Sequence, residues 1–222
     1  MTPAVVKPYE KHRARLIECL LAMASHAEEA LALAMRALVE RDDALVERVV
    51  RNDEILDQYE IEVDEVSVRL LAMAPLAGEL RLITVAMKIS QNLERVGDEA
   101  VAIALHAGDL NAEAPLKPYV DLPLMSVASR QMLSEAIAAF IERRSDRARD
   151  LLPRDREVDS LNRQLHRELA SYMVERPANI PRCLRLMGIA KAFERVADHA
   201  TTIAQEVVFL YEGKDIRHAA LT

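Results

Sequence analysis

The chain has 222 residues, of which 51% are apolar but only 4% aromatic, with 5 glycines; this balance disfavours a turn-rich β-sandwich or barrel and points to an all-α fold. Thirty-six acidic residues against 29 basic ones leave a formal charge of −7, the wrong sign for attraction to a phosphate backbone, so no direct nucleic-acid partner is expected. Two cysteines, Cys19 and Cys183, are too few for a disulfide framework and read as small buried apolar side chains of a reduced, cytoplasmic chain.

Leu16, Leu20, Met23, Ala27, Leu31, Ala34 and Leu38 recur at spacings of three and four and predict a long first amphipathic helix. Asp42 and Asp43 supply N-cap chemistry for a second, with the stripe Ile55, Tyr59, Val63, Val66, Leu70 and Met73 and a turn at Pro75. A third is expected over 79–106, with Val85, Ile89, Leu93, Val96, Ala100 and Ile103 on one side and Gly108 as its stop. Residues 108–120 carry Gly108, Asn111, Pro115 and Pro118 without helical period, so 111–120 read as a linker between one repeat over 1–110 and another over 121–222.

The pattern restarts with Leu133, Ile137 and Phe140 in a fourth helix, which Pro153 separates from a fifth bearing Val158, Leu161, Leu165, Leu169 and Tyr172. Pro177 and Pro181 form the next turn. A sixth helix carries Ile189, Phe193, Val196, Ala200, Ile203, Val207 and Leu210, and Gly213 ends it. Eight methionines on apolar faces, Met23 and Met132 among them, read as core filler. No run of 18 uninterrupted apolar residues and no apolar N-terminal h-region occurs, so neither a membrane span nor a secretion signal is expected.

ERVGDEA at 94–100 falls on ERVADHA at 194–200, an internal duplication that predicts tandem three-helix bundles made of six long antiparallel helices. Each repeat also holds two acid pairs at i and i+4, which share a helix face and present two carboxylates to one cation: Asp53 with Asp57, Glu94 with Asp98, Asp155 with Asp159, and Glu194 with Asp198. With 36 acids in the chain, several such pairs arise by chance as solvated charge. What sets these four apart is register, since in each repeat both pairs stand equally far from the turn at Pro75 or Pro177 and are brought level across an antiparallel hairpin.

On a helical projection Glu94 and Asp98 point away from the stripe of their helix, as do Asp53 and Asp57, while Asp155 and Asp159 lie on a flank. The expected sites are therefore open surface clusters of oxygen ligands. Such ligands suit Mg²⁺, Ca²⁺, Mn²⁺ or iron, without excluding Zn²⁺. Gly97 and its counterpart Ala197 leave room for close helix packing or for a metal, Arg95 and Arg195 either moderate carboxylate repulsion or are simply solvated, and His199 reads as an exposed helix histidine rather than a metal ligand or a donor to one.

The stretches PLAGELRLITVAMKISQNLERVGDEA at 75–100 and GIAKAFERVADHATTIAQEV at 188–207, with the ending GKDIRH at 213–218, resemble the PhoU family of phosphate-transport accessory proteins. That resemblance implies two three-helix bundles, often dimeric, with E/D-x-x-x-D motifs that hold surface metal clusters in some members. Those motifs fall here on the four acid pairs. It further implies a negative regulator that conveys the state of a phosphate-specific ABC transporter to a sensor histidine kinase and meets the membrane only through these partners. Glu99 stands where the family commonly has a histidine, and the second hairpin is shorter between turn and motif, so occupancy is expected to differ between the clusters. A di-iron carboxylate enzyme would need Glu-x-x-His spacing, and no Glu lies three residues before any of the six histidines. A purely structural scaffold with solubilising acids is the remaining alternative.

Overall fold

The computed structural model describes residues 3–73 and 76–217. Pro75, the expected first turn, and His218, the last residue of the GKDIRH ending, lie outside them. Helical periodicity is realised as α1 (Pro3–Glu40), α2 (Asp43–Ala72), α3 (Ala77–Asn111), α4 (Asp121–Glu142), α5 (Ser145–Leu151), α6 (Asp155–Glu175) and α7 (Ile180–Glu212). Two single turns of 3₁₀ helix, Leu152–Arg154 and Pro177–Asn179, precede α6 and α7. Among the described residues there is no strand, and the fold is all-α.

The stripes expected for α1, α3 and α7 are fully in the core, as are Cys19 and Cys183. The Asp42 carboxylate caps α2 by accepting from the Ala44 N–H at 2.9 Å, and Glu79 accepts from the Leu76 N–H at 3.1 Å to close the start of α3. Gly213 ends α7 in the left-handed region at φ 70° and donates its N–H to Phe209.

Three expectations are corrected. Gly108 does not stop α3, which continues to Asn111; a Cβ there would meet only Val46 at ordinary contact distance, so the helix simply bears the roughly 1 kcal/mol propensity cost of an interior glycine. The fourth helix does not reach Pro153: Arg143 takes a left-handed conformation at φ 58°, ends α4, and the short α5 intervenes before Pro153. In α2 the buried face is Val49, Leu56, Val63, Val66, Ser67 and Leu70, while Ile55 and Tyr59 stand at its edge. Tyr59 spends its ring on His26, stacked at 5.9 Å.

Helices α1, α2 and α3 pack on one another; α7 packs on α4, α5 and α6; and the long α3 and α7 join the two groups. Polar pairs show that α3 and α7 run antiparallel: Lys88 donates to both oxygens of Glu206 at 3.0 and 3.1 Å, Arg195 donates to Glu99 at 3.1 Å, and Arg185 meets Asp109 at 3.1 Å. The contact has a pseudo-twofold axis. Position 88 corresponds to 188 and 106 to 206, so Lys88 against Glu206 at one end is answered at the other by Gly188 under the His106 ring, where a Cβ would come within 2.5 Å of Nε2. The connection after Asn111 is tied down from both sides: Arg41 donates to the Asn111 and Glu113 carbonyls, Arg182 to the Ala114 carbonyl, and the buried Lys117 to Glu168, with Asp121 also near.

Glu206 is 3% exposed and depends on Lys88, with Arg217 more distant at 3.5 Å. Removing the nearer cation leaves a buried charge short of compensation. Lys88→Met is expected to lower stability by about 2 kcal/mol in urea unfolding, and Lys88→Met with Glu206→Gln to recover part of that loss; equal losses in the single and double variants would contradict the pairing.

Candidate metal centres

The acids of each hairpin lie near enough across it to act on one another electrostatically. On α2 and α3, Asp53 feels Asp57 and Asp98, and Glu94 feels Asp98 and Asp57. On α6 and α7, Asp155 feels Asp198, Asp159 and Glu194. In each hairpin the first acid of one pair therefore faces the second acid of the other.

The clusters are more sheltered than the helical projection suggests. Asp53, Glu94, Asp155, Asp159 and Glu194 are half-buried, whereas Asp57, Asp98 and Asp198 are exposed. Once Leu56 rather than Ile55 leads the core stripe, Asp53 turns toward α3. Its Oδ1 lies 3.1 Å, and Leu56 Cδ1 2.4 Å, from where a Cβ on Gly97 would sit. Gly97 is thus a point of close approach between α2 and α3, beside a void of about 10 Å³ lined in part by His26, Asn52 and Asp53. Ala197, its counterpart, is fully buried.

Burial, and then the neighbouring carboxylates, push Glu94 up to about 7 and Asp155 up to about 6; Asp53 and Asp198 rise for the same reasons. Sequence reasoning missed Glu60, which is raised by burial and by Asp64, Asp57 and Asp98 and in turn raises Glu94. Its signal was present: Asp53, Asp57, Glu60 and Asp64 continue one α2 face at steps of four, three and four.

Among the described residues, no three His, Cys, Asp or Glu side chains converge as a formed metal site, so chelation requires the carboxylates to turn toward one another. The donors fit a hard cation. Each cluster gathers carboxylate oxygens, and Asp155 Oδ1 is buried without a hydrogen-bond donor. The flanking residues do other work than expected. Arg195 is not merely solvated but bonds Glu99 across α3 and α7. His199 is no exposed histidine: Nδ1 lies 2.9 Å from Asn92 Oδ1, Asn92 is itself oriented by donating to the Lys88 carbonyl, and burial together with Arg95 and Arg195 holds the imidazole down at about 4. Neutral His199 therefore donates to Asn92 and belongs to the joint between the repeats.

The PhoU domain family matches residues 20–107 and, a second time, 122–207. The chain belongs to the PhoU family. Among its relatives are the phosphate-specific transport system accessory protein PhoU homologs of Aquifex aeolicus, 38% identical over 202 residues spanning 90% of this chain and 91% of that one, and of Pseudomonas aeruginosa, 37% identical over 206 residues spanning 91% and 85%. The crystal structure of PhoU from P. aeruginosa superposes with a TM-score of 0.89 at 34% identity, covering 93% of this chain and 100% of the other. The phosphate transport system regulatory protein PhoU of Streptococcus pneumoniae shares the fold at TM-score 0.87 and 24% identity, covering 93% and 98%.

The close α2 and α3 contact that holds the first PhoU acid cluster level is testable. Gly97→Val is expected to cost about 1–3 kcal/mol by overpacking Leu56, whereas Gly78→Ala, with nothing within 4 Å of the new Cβ, should be neutral or stabilising by up to about 1 kcal/mol. Thermal and urea unfolding check both; a Gly97→Val variant as stable as the parent would contradict the contact.

Proposed function

We propose that this PhoU-family chain is a non-enzymatic regulatory adaptor of phosphate transport, holding metal cations at its two carboxylate clusters. The observation that carries the reading is the coincidence of both family matches with two hairpins that each raise four acids to one height. Relatives named as accessory proteins of the phosphate-specific transport system support the process, and the name of the S. pneumoniae protein supports regulation. In this reading the chain works in the cytoplasm as a homodimer, contacts subunits of a phosphate ABC transporter and a sensor histidine kinase, and represses phosphate uptake and phosphate-starvation signalling. Asp53, Asp57, Glu94 and Asp98 would hold one set of ions, and Asp155, Asp159, Glu194 and Asp198 the other. The cations would supply positive charge that lets these acids stay ionised side by side.

Two measurements test this. Elemental analysis of protein purified under native conditions should find retained metal that an Asp98→Ala plus Asp198→Ala variant loses while keeping its helicity; parent protein without metal would remove the cation part of the reading. Affinity capture from phosphate-replete cells should bring down transporter or kinase subunits, and less of them with chelator present. Failure to capture either, or a purified chain that alone shifts a phosphate-responsive promoter, would contradict the adaptor role.

A further inference from the structure

The two clusters are built on matching scaffolds but not on matching residues. Asp53 and Asp57 of α2 correspond to Asp155 and Asp159 of α6, and the buried Leu56 and Val63 correspond to the buried Val158 and Leu165. In this register the place of Glu60 is taken by Asn162. Glu60 is a fifth carboxylate of the first cluster, near enough to be raised by Asp57 and Asp98 and in turn to raise Glu94. Asn162 is an uncharged amide, only 9% exposed. Its Nδ2 donates to Glu194 Oε2 at 2.8 Å, which fixes the side chain toward the second cluster. Its Oδ1 is buried and accepts from no donor. A buried amide oxygen without a partner costs about 1–3 kcal/mol; Asp155 Oδ1, on the same helix, is likewise buried without one.

Fixed cations add to the contrast. Glu194 receives Lys191 Nζ at 2.6 Å and Asp159 lies 3.6 Å from Arg163. Among the described residues, Asp53, Asp57, Glu60, Glu94 and Asp98 have no lysine or arginine within salt-bridge distance. The first cluster is therefore a five-carboxylate site on which Arg95 acts only from beyond that distance, and the second a four-carboxylate site with two of its acids already in direct ion pairs. Affinity for a hard cation rises with the number of charged ligands, so the two cannot bind alike.

Resting on the reading of these clusters as cation sites, we propose that Asn162 Oδ1 is a neutral carbonyl ligand of the second centre and that Glu60 is an anionic ligand in the equivalent place of the first. The two centres are thereby unequal. The α2 and α3 centre takes more cationic charge and holds it more tightly; the α6 and α7 centre fills second and empties first, which makes it the one whose occupancy follows the surrounding metal concentration.

The test titrates Mn²⁺ into the full-length, chelator-treated chain and follows free Mn²⁺ by electron paramagnetic resonance. The parent should show two classes of site separated by about tenfold or more in affinity. Glu60→Gln should weaken the tight class alone. Asn162→Asp should tighten the weak class about tenfold, and Asn162→Leu should weaken it, with helicity and melting temperature recorded for each variant. If Asn162 served only to orient Glu194, an aspartate there would repel that glutamate and weaken the site. Weakening or no change in Asn162→Asp, or a single class in the parent, overturns the inference while leaving metal binding intact. Absence of Mn²⁺ binding in the parent would overturn both.

Discussion

Like charges held at one height by helix packing are the constraint on which the rest of this molecule depends. Two unit charges 4 Å apart repel by about 1 kcal/mol in water and about 4 kcal/mol near a protein surface, so each four-acid cluster opposes the hairpin that carries it. Packing prevails because burying a single leucine or valine contributes about 1.5–3 kcal/mol, and Leu56, Val63, Leu93, Val96 and Ala100 are buried along the first hairpin alone. Gly97 lets the two backbones approach closely enough for that packing to fix the acids. A carboxyl held above its ordinary range binds its proton more tightly folded than unfolded, so the contribution of Glu94 to folding weakens as the pH climbs from its ordinary 4.5 toward about 7. Bound cations would relieve the same repulsion.

The antiparallel joint of α3 and α7 turns two such hairpins into one body. Its apolar seam is repeated, but its polar pairs are not: the pseudo-twofold axis sets Lys88 and Glu206 against Gly188 and His106, and Arg195 with Glu99 against Arg95 near His199. Duplication preserved the packing and let the charged positions diverge. The departure at Glu99 that the sequence displays belongs to this joint, where Glu99 engages Arg195; the two clusters differ instead at Glu60 of α2 against Asn162 of α6 and in the Lys191 that pairs with Glu194 on α7.

Much of this was readable beforehand for a simple reason: long helices repeat their signal many times, and the stripes of α1, α3 and α7 leave little freedom of register. Where the signal was short, it misled. The α2 stripe is carried by few residues, and choosing Ile55 over Leu56 rotated the helix enough to hide that Asp53 faces Gly97. Gly108 looked like a stop because a helical glycine is costly, but a cost of roughly 1 kcal/mol is small beside the packing that carries α3 on to Asn111. The break at Arg143 has no glycine or proline to announce it. Arg195 and His199 could not be separated from solvated residues, since their partners Glu99 and Asn92 come from the other repeat.

The most direct measurement is the melting temperature of Glu94→Gln combined with Asp155→Asn, compared with the parent in chelator and in excess divalent cation. Removing one carboxylate from each cluster should raise the melting point of the cation-free chain by relieving repulsion, and lower it relative to the parent once cation is supplied. A variant less stable than the parent in chelator, or a ranking that cation leaves unchanged, would show that these acids are ordinary surface charge.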